Sequence, residues 1–585
     1  MRAKTLVLGA ALALMVAQDG PAAATNADAR FKAVYTKEWA WRQAQYAARD
    51  ESDKRQPIVD HLPKMDPAAE AARLLHWGEV LREVDAIPRG ALSPREEIDY
   101  DVYRPQLAAL IASERFREYE MPVNSDTAFW SNLAETARGD FHSVQDYRNY
   151  VKLLGDVPRY FREEMGELRA GLKRGFTPPK ITLAGRDASI AAVVNAKPED
   201  SLFLEPFKTN GLNLPPAEWN ELRADTLKAV RESVIPAYRD LLEFMRDEYI
   251  PHARTSLAAE SLPDGKAYYR SKILEFTTLD LDPASIHETG LAEVARIHAE
   301  MVKAMRASGF KSDFPAFLKF LRSNPKFYAK TPKELLMDAA WIAKTFDAKA
   351  ALYFGMLPRA RFAIKPVPPD IAPFYTAGRG GPGVYLLNTY DLKSRPLYNL
   401  TALTLHESAP GHAFQIPLAA ERKDLPDFRR QTYISAYGEG WALYCEHLGL
   451  EMGMYDTPYD VFGMWGYQIW RAARLVVDTG IHSQGWTRDQ AIVYLKENTA
   501  LPEREIGTEV DRYISWPGQA LSYYLGEMTI LKARAKAKKA LGPKFNLRAF
   551  HDAVLEVGSV PLPVLEARID RFIADGGKGP YPEME

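Results

Sequence analysis

Apolar positions along most of this chain recur at three- and four-residue intervals among charged side chains, the period of amphipathic helices. The pattern predicts helices over residues 31–50, 67–84, 94–117, 144–174 and 216–249. Asp282-Pro283 and Thr331-Pro332 each pair a capping side chain with a proline suited to the first helical turn, so two more helices are expected, toward residues 308 and 353. No fixed-period repeat or low-complexity linker interrupts the series. The fold class expected is mainly α, in two large helical lobes at residues 25–280 and 281–585.

The period changes between about residues 360 and 389. Arg361-Phe362-Ala363-Ile364, a proline-rich turn and the apolar run from Gly383 to Thr389 suggest a small antiparallel sheet. Val384, Tyr385 and Asn388 then lie on a strand with two readings. It offers an edge to an extended peptide through main-chain hydrogen bonds, or it is half of a structural hairpin. The glycine-rich stretch 378–383 lacks the Lys-Ser/Thr ending of a phosphate loop and is expected to be a mobile turn at a cleft.

Directly after this sheet comes His406-Glu407-Ser408-Ala409-Pro410-Gly411-His412. Two imidazoles and a carboxylate can hold Zn²⁺ with one position left open, and a second carboxylate beside them can take a proton from the attacking water. In the usual HExxH arrangement the histidines are one helical turn apart. Here the spacing of six would turn His412 about 240° from His406 on a straight helix. A helix capped near Asn399 is therefore expected to carry His406 and Glu407 and to distort at Pro410-Gly411, where proline has no N–H for the ladder. His406 and His412 are the candidate imidazole ligands, and Glu407 is the candidate general base. Glu439, on a helix expected from near Arg429, is the candidate carboxylate ligand. Glu446, two turns further along the same face, either orients a ligand histidine or is itself the third ligand. One Zn²⁺ per chain is the cofactor expected. His287-Glu288 begins a similar pair but has no second histidine at a matching distance, and His447 points about 100° away from Glu446.

The segments HESAPGH at 406–412, EGWALYCE at 439–446, RAARLVVDTGIH at 471–482 and RYISWPGQALSYYLG at 512–526 resemble a large bacterial family long labelled a domain of unknown function. That family carries HExxPGH and a downstream EGWAxYxE and is similar to the gluzincin metallopeptidases. The resemblance covers roughly the last 220 residues closely and implies a mainly helical, zincin-like hydrolase, a peptidase by type. Tyr513, Tyr523 and His482 stand in these segments as candidate donors to the oxyanion of a tetrahedral intermediate, or as core residues satisfied locally. Arg474 and Arg512 either bind a substrate carboxylate, as in a carboxypeptidase or dipeptidyl carboxypeptidase, or form structural ion pairs.

Composition narrows the partner and the compartment. The 75 basic and 77 acidic side chains are interspersed, for a net charge of −2, so no nucleic-acid or membrane-surface field is indicated. The partner expected is a short peptide or small amide, with no nucleic acid and no stable membrane insertion; nothing in the pattern specifies an oligomer. Arg2 and Lys4, the apolar run 5–17 and Ala22-Ala23-Ala24 read as a signal peptide, residues 1–24, with cleavage near Ala24 and a periplasmic or secreted product. The only cysteine is Cys445, so no internal disulfide can form, and none follows the apolar run to accept lipid. The function expected is an exported zinc-dependent hydrolase of short peptides. The alternatives are a hydrolase of a non-peptide amide or ester and a metal-binding protein without catalysis.

Overall fold

The structure is a computed structural model that describes residues 21–46, 58–369 and 371–581. The basic and apolar stretches of the expected signal peptide lie outside the described residues. Caps written in the sequence start many of the helices. Asp66 accepts from the amides of Ala68 and Ala69 at the head of α2 (Pro67–Asp85), which packs with α1 (Pro21–Gln45). Ser93 caps α3 (Pro94–Phe116), and a reciprocal Ser143–Asp146 capping box opens α4 (Val144–Arg174).

The single helix expected over 216–249 is broken by π-helical turns at Val230–Val234 and Phe244–Tyr249. Pro236 and Pro251 follow them closely, and neither has an N–H for the helical ladder. After α5 (Gly265–Thr277) and α6 (Pro283–Ala307), α7 (Pro332–Asp347) ends earlier than expected, and a separate turn spans Ala350–Tyr353.

Three short strands follow: β1 (Ala363–Pro366), β2 (Gly378–Gly381) and β3 (Val384–Leu387), in the order β1-β3-β2. The antiparallel sheet expected is in fact mixed. β2 runs antiparallel to β3, but β1 runs parallel to it, because the chain crosses between β1 and β2 before turning back into β3. The glycine-rich segment expected as a mobile turn is strand β2. The central strand is β3, so its main-chain groups are paired on both sides, and the edge facing the next helix belongs to β2.

That helix is α8 (Leu397–Glu407), followed by α9 (His412–Ala420), α10 (Ser435–Glu451), α11 (Pro458–His482), α12 (Glu503–Ser515), α13 (Ser522–Leu541), α14 (Leu547–Leu555) and α15 (Leu562–Ala574). α11 is buried along most of its length, with α6 and α8 packed against it. α10 and α13 cross at two glycines, where a Cβ on Gly526 would fall 2.0 Å from the Ala436 carbonyl oxygen. Only glycine lets these backbones approach so closely, and the approach sets Glu439 and Tyr523 on neighbouring walls of one site.

Buried residues of α1–α3 share a core with α9, α10, α14 and α15, whereas residues 123–253 enclose a core of their own. Among the described residues, no helix is long and apolar enough to cross a membrane.

Candidate metal centre

α8 begins at Leu397, with Pro396 rather than Asn399 at the capping position, and its last two residues are His406 and Glu407. The chain then leaves helical geometry at Ser408, passes a cis Ala409–Pro410 peptide and re-enters a helix at His412. Two helices meeting at a break thus replace the single distorted helix expected. The amide of Gly411 donates to the Leu405 carbonyl at 3.0 Å. A Cβ on Gly411 would stand 1.8 Å from the His406 carbonyl oxygen, so the return is open only to glycine.

α10 starts at Ser435, after a separate short helix at Asp427–Gln431, and not near Arg429. Its second turn brings Glu439 Oε2 to 3.4 Å from His406 Nε2 and 3.3 Å from His412 Nε2. All three ligand atoms lie within 4.8 Å of one another, the only such grouping among the described residues. Charge-assisted hydrogen bonds are typically about 2.7–2.9 Å, so these contacts are long. Tetrahedral zinc with bonds of about 2.0–2.2 Å has ligand–ligand edges of about 3.3–3.6 Å, so the two spacings match a shared cation better than a shared proton. The two histidine rings stand nearly perpendicular, at 86°, with centroids 4.9 Å apart.

Glu446 lies on the other side of the first ring. Its Oε1 is 2.7 Å from His406 Nδ1, and Arg471 Nη2 is 3.7 Å from the same oxygen. Of the two acids, Glu439 approaches both Nε2 atoms, while Glu446 is placed to fix the tautomer and orientation of His406. Burial pulls the His406 pKa down, but the carboxylates of Glu439 and Glu446 on its two ring edges outweigh it and push the ring up to about 10. Burial would raise Glu439, yet His412 and His406 hold it well below the usual carboxylate range.

Glu407 is nearly buried, and its Oε2 accepts from the Gly380 amide at 2.6 Å. A Cβ on Gly380 would meet the Glu407 carbonyl oxygen at 1.7 Å, so β2 must present a bare backbone here. The glycine run is thus part of the site, a role that the sequence reading did not give it.

The candidate oxyanion donors separate. The Tyr523 ring lies nearly parallel to His406, at 17° and 6.5 Å, and Arg512 Nη2 is 3.3 Å from its hydroxyl. The Tyr513 hydroxyl accepts from Arg474 Nε at 2.9 Å and Trp470 Nε1 at 2.8 Å, which places it in a buried network behind Tyr523. His482 is corrected from a donor to a structural residue. Its Nδ1 accepts from the Ala259 amide at 3.1 Å and its Nε2 reaches the Tyr513 carbonyl at 2.9 Å, so both nitrogens serve the main chain.

Arg474 is buried, pairs with Glu509 at 2.9 Å and lies 4.4 Å over the Tyr523 ring. Arg512 is more accessible, and the same Glu509 lies 3.8 Å away. The edge expected at Val384–Asn388 is also corrected. Val384 pairs with both Ala363 and Gly381, Tyr385 is fully buried, and the Asn388 side-chain Nδ2 donates to the carbonyls of Ala372, Tyr375 and Thr376. Tyr433, which no motif marks, stands with its ring 6.3 Å from His412 and its hydroxyl against Glu439.

Two solved structures are similar over nearly their whole length. One, described as a "putative lipoprotein" from Colwellia psychrerythraea, is 27% identical, with a TM-score of 0.85 over 94% of this chain and 99% of that one. The other, a "putative lipoprotein of unknown function" from Shewanella oneidensis, is 18% identical and shares the fold, with a TM-score of 0.66 over 92% and 99% of the two chains. No curated protein matches the chain. A family model matches residues 43–569, and the chain therefore belongs to the family described as bacterial protein of unknown function, DUF885.

Proposed function

We propose that this protein is an exported zinc-dependent hydrolase cleaving short peptides, of carboxypeptidase or dipeptidyl carboxypeptidase type. One observation carries the reading: a carboxylate oxygen at tetrahedral-edge spacing from each of two Nε2 atoms, with Glu407 next in sequence to the first ligand. His406, His412 and Glu439 would hold the ion, and Glu446 would orient His406. When bound, a divalent cation supplies positive charge that polarises a carbonyl and acidifies water.

The remaining work falls to the chain. Glu407, aimed by the Gly380 amide, takes the proton from the attacking water and returns it to the leaving amine. The Tyr523 hydroxyl, on a ring stacked 6.5 Å from His406, would donate to the oxyanion. Arg474 is paired with Glu509, whereas Arg512 is more accessible and reaches the Tyr523 hydroxyl at 3.3 Å, so Arg512 is the cation better placed for the terminal carboxylate of a peptide. The β2 edge, with its main chain beside Glu407, replaces β3 as the strand along which an extended substrate would lie. The descriptions of the two structural neighbours support export.

The test is zinc content by mass spectrometry together with turnover of a peptide library. About one zinc per chain, lost in His406→Ala and Glu439→Ala, with a Glu407→Gln variant that keeps zinc but not turnover, is the expected result. Absence of zinc after reconstitution, or undiminished turnover in Glu407→Gln, would overturn the reading.

A further inference from the structure

Tyr433 reaches the metal centre from outside the helices that carry the ligands. It belongs to a three-residue link, Thr432–Ile434, between the short helix Asp427–Gln431 and α10. The link is tied on both sides of the tyrosine. Gln106 Nε2, on α3, donates to Thr432 Oγ1 at 2.9 Å, and the Ile434 amide donates to Ser559 Oγ at 2.8 Å. Both neighbours hold extended backbone, and the tyrosine between them folds its side chain back onto the start of α10.

Gly438 makes room for it there. A Cβ at this position would fall 2.4 Å from Tyr433 Cε2 and 2.5 Å from the hydroxyl oxygen, so the end of the ring fills the space that a side chain on residue 438 would need. Although Tyr433 is 45% exposed, its hydroxyl end is thus the part pressed against the helix. The residue after Gly438 is Glu439, and the hydroxyl rests against its carboxylate. An ionised carboxylate only accepts hydrogen bonds, so in this contact the tyrosine is the donor.

We infer that Tyr433 is a positioning residue for the carboxylate ligand. Its hydroxyl, seated in the slot left by Gly438, donates to Glu439 and keeps the carboxylate turned toward His406 and His412. Tyr433 stands to Glu439 as Glu446 stands to His406: neither touches the ion, and each fixes a group that does. The inference rests on the reading of His406, His412 and Glu439 as a metal site. It also gives the glycine before Glu439 a purpose, since a larger residue there would expel the tyrosine from its place.

The experiment is cobalt(II) binding to the metal-depleted protein, read by visible absorption and by competition with a chelator, in the parent, Tyr433→Phe, Gly438→Ala and the double variant. Tyr433→Phe keeps the ring in its slot and removes only the hydroxyl, whereas Gly438→Ala keeps the hydroxyl and displaces the ring. Each is expected to weaken cobalt binding about 10–100-fold and to alter the visible spectrum. The double variant should bind no more weakly than Gly438→Ala, because both changes remove the same contact. The metal-free melting temperature of Tyr433→Phe should match the parent's. Parent-like affinity in Tyr433→Phe, or losses that add in the double variant, would overturn the inference and leave the ring as packing. Should Gly438→Ala fail to fold, Tyr433→Phe decides alone. A parent that binds no cobalt would overturn the metal reading as well.

Discussion

Glu446 Oε1 sits 2.7 Å from Nδ1 of His406, on the ring edge opposite the Nε2 that faces Glu439. A buried carboxylate there accepts from Nδ1–H, so the nitrogen left to a metal ion is Nε2. Glu446→Gln keeps an acceptor of similar shape but removes the charge. Zinc affinity, measured by competition with a chelator, is expected to fall about 10–100-fold while saturating zinc still gives one ion per chain. Loss of stoichiometry in this variant, with Glu439→Ala unaffected, would exchange the roles of the two acids.

Gly380 gives a second, sterically simple test. A methyl group there collides with the backbone of Glu407, only 1.7 Å from its carbonyl oxygen. Gly380→Ala should bind zinc nearly as well as the parent yet lose most of its turnover, because the displaced strand no longer aims the carboxylate. Unchanged kcat would show that the Gly380 amide has no part in positioning Glu407.

Tyr523 and Arg512 can be separated by kinetics. Removal of one oxyanion donor typically lowers kcat by about 10²–10³. Tyr523→Phe is expected to approach that loss with little change in KM, whereas Arg512→Lys should chiefly raise KM for peptides with a free carboxy terminus. Equal KM values for free and amidated peptides in the parent protein would remove Arg512 from substrate binding.

The acid limb of stability should report two buried imidazoles. Burial pushes His482 down to about 3, although the Tyr513 carbonyl acts the other way. It does the same to His551, held between the Tyr353 carbonyl and the Tyr444 hydroxyl. Unfolded histidine titrates near 6.5, so between about pH 6.5 and 3 the unfolded chain binds protons that these folded rings refuse. Their contribution is complete above pH 6.5 and erodes as pH falls toward 3. Urea unfolding at stepped pH should show that slope, shallower in His551→Gln; a slope identical to the parent's would assign the acid limb to other groups.

Much of the helical frame was legible because caps and periodicity are local properties. Asp66-Pro67, Asp282-Pro283 and Thr331-Pro332 each start a helix where the sequence places one. The long 216–249 pattern concealed its π-turns because an extra residue in a turn leaves the apolar period almost unchanged. The grouping of His406, His412 and Glu439 could be read from residue type and spacing, but the break between α8 and α9 could not be told from a kink in one helix. Strand order was hidden as well. The short apolar run 384–387 looks the same at the edge of a sheet or in its middle, and only the crossover from β1 to β2 makes it central. His482 misled because a histidine serving two main-chain groups carries no mark that separates it from a catalytic one.

The break at Pro410-Gly411 also bears on stiffness. Because His406 closes α8, His412 opens α9 and Glu439 lies on α10, any ion they share would cross-link three helices that are otherwise joined by loops. Within one helix, two ligands keep their separation even when the surrounding fold relaxes; across a joint, they keep it only while the neighbouring helices stay packed. Metal removal should therefore be felt as slackening of α9 against α10, and amide exchange in α9 would serve as a gauge of occupancy.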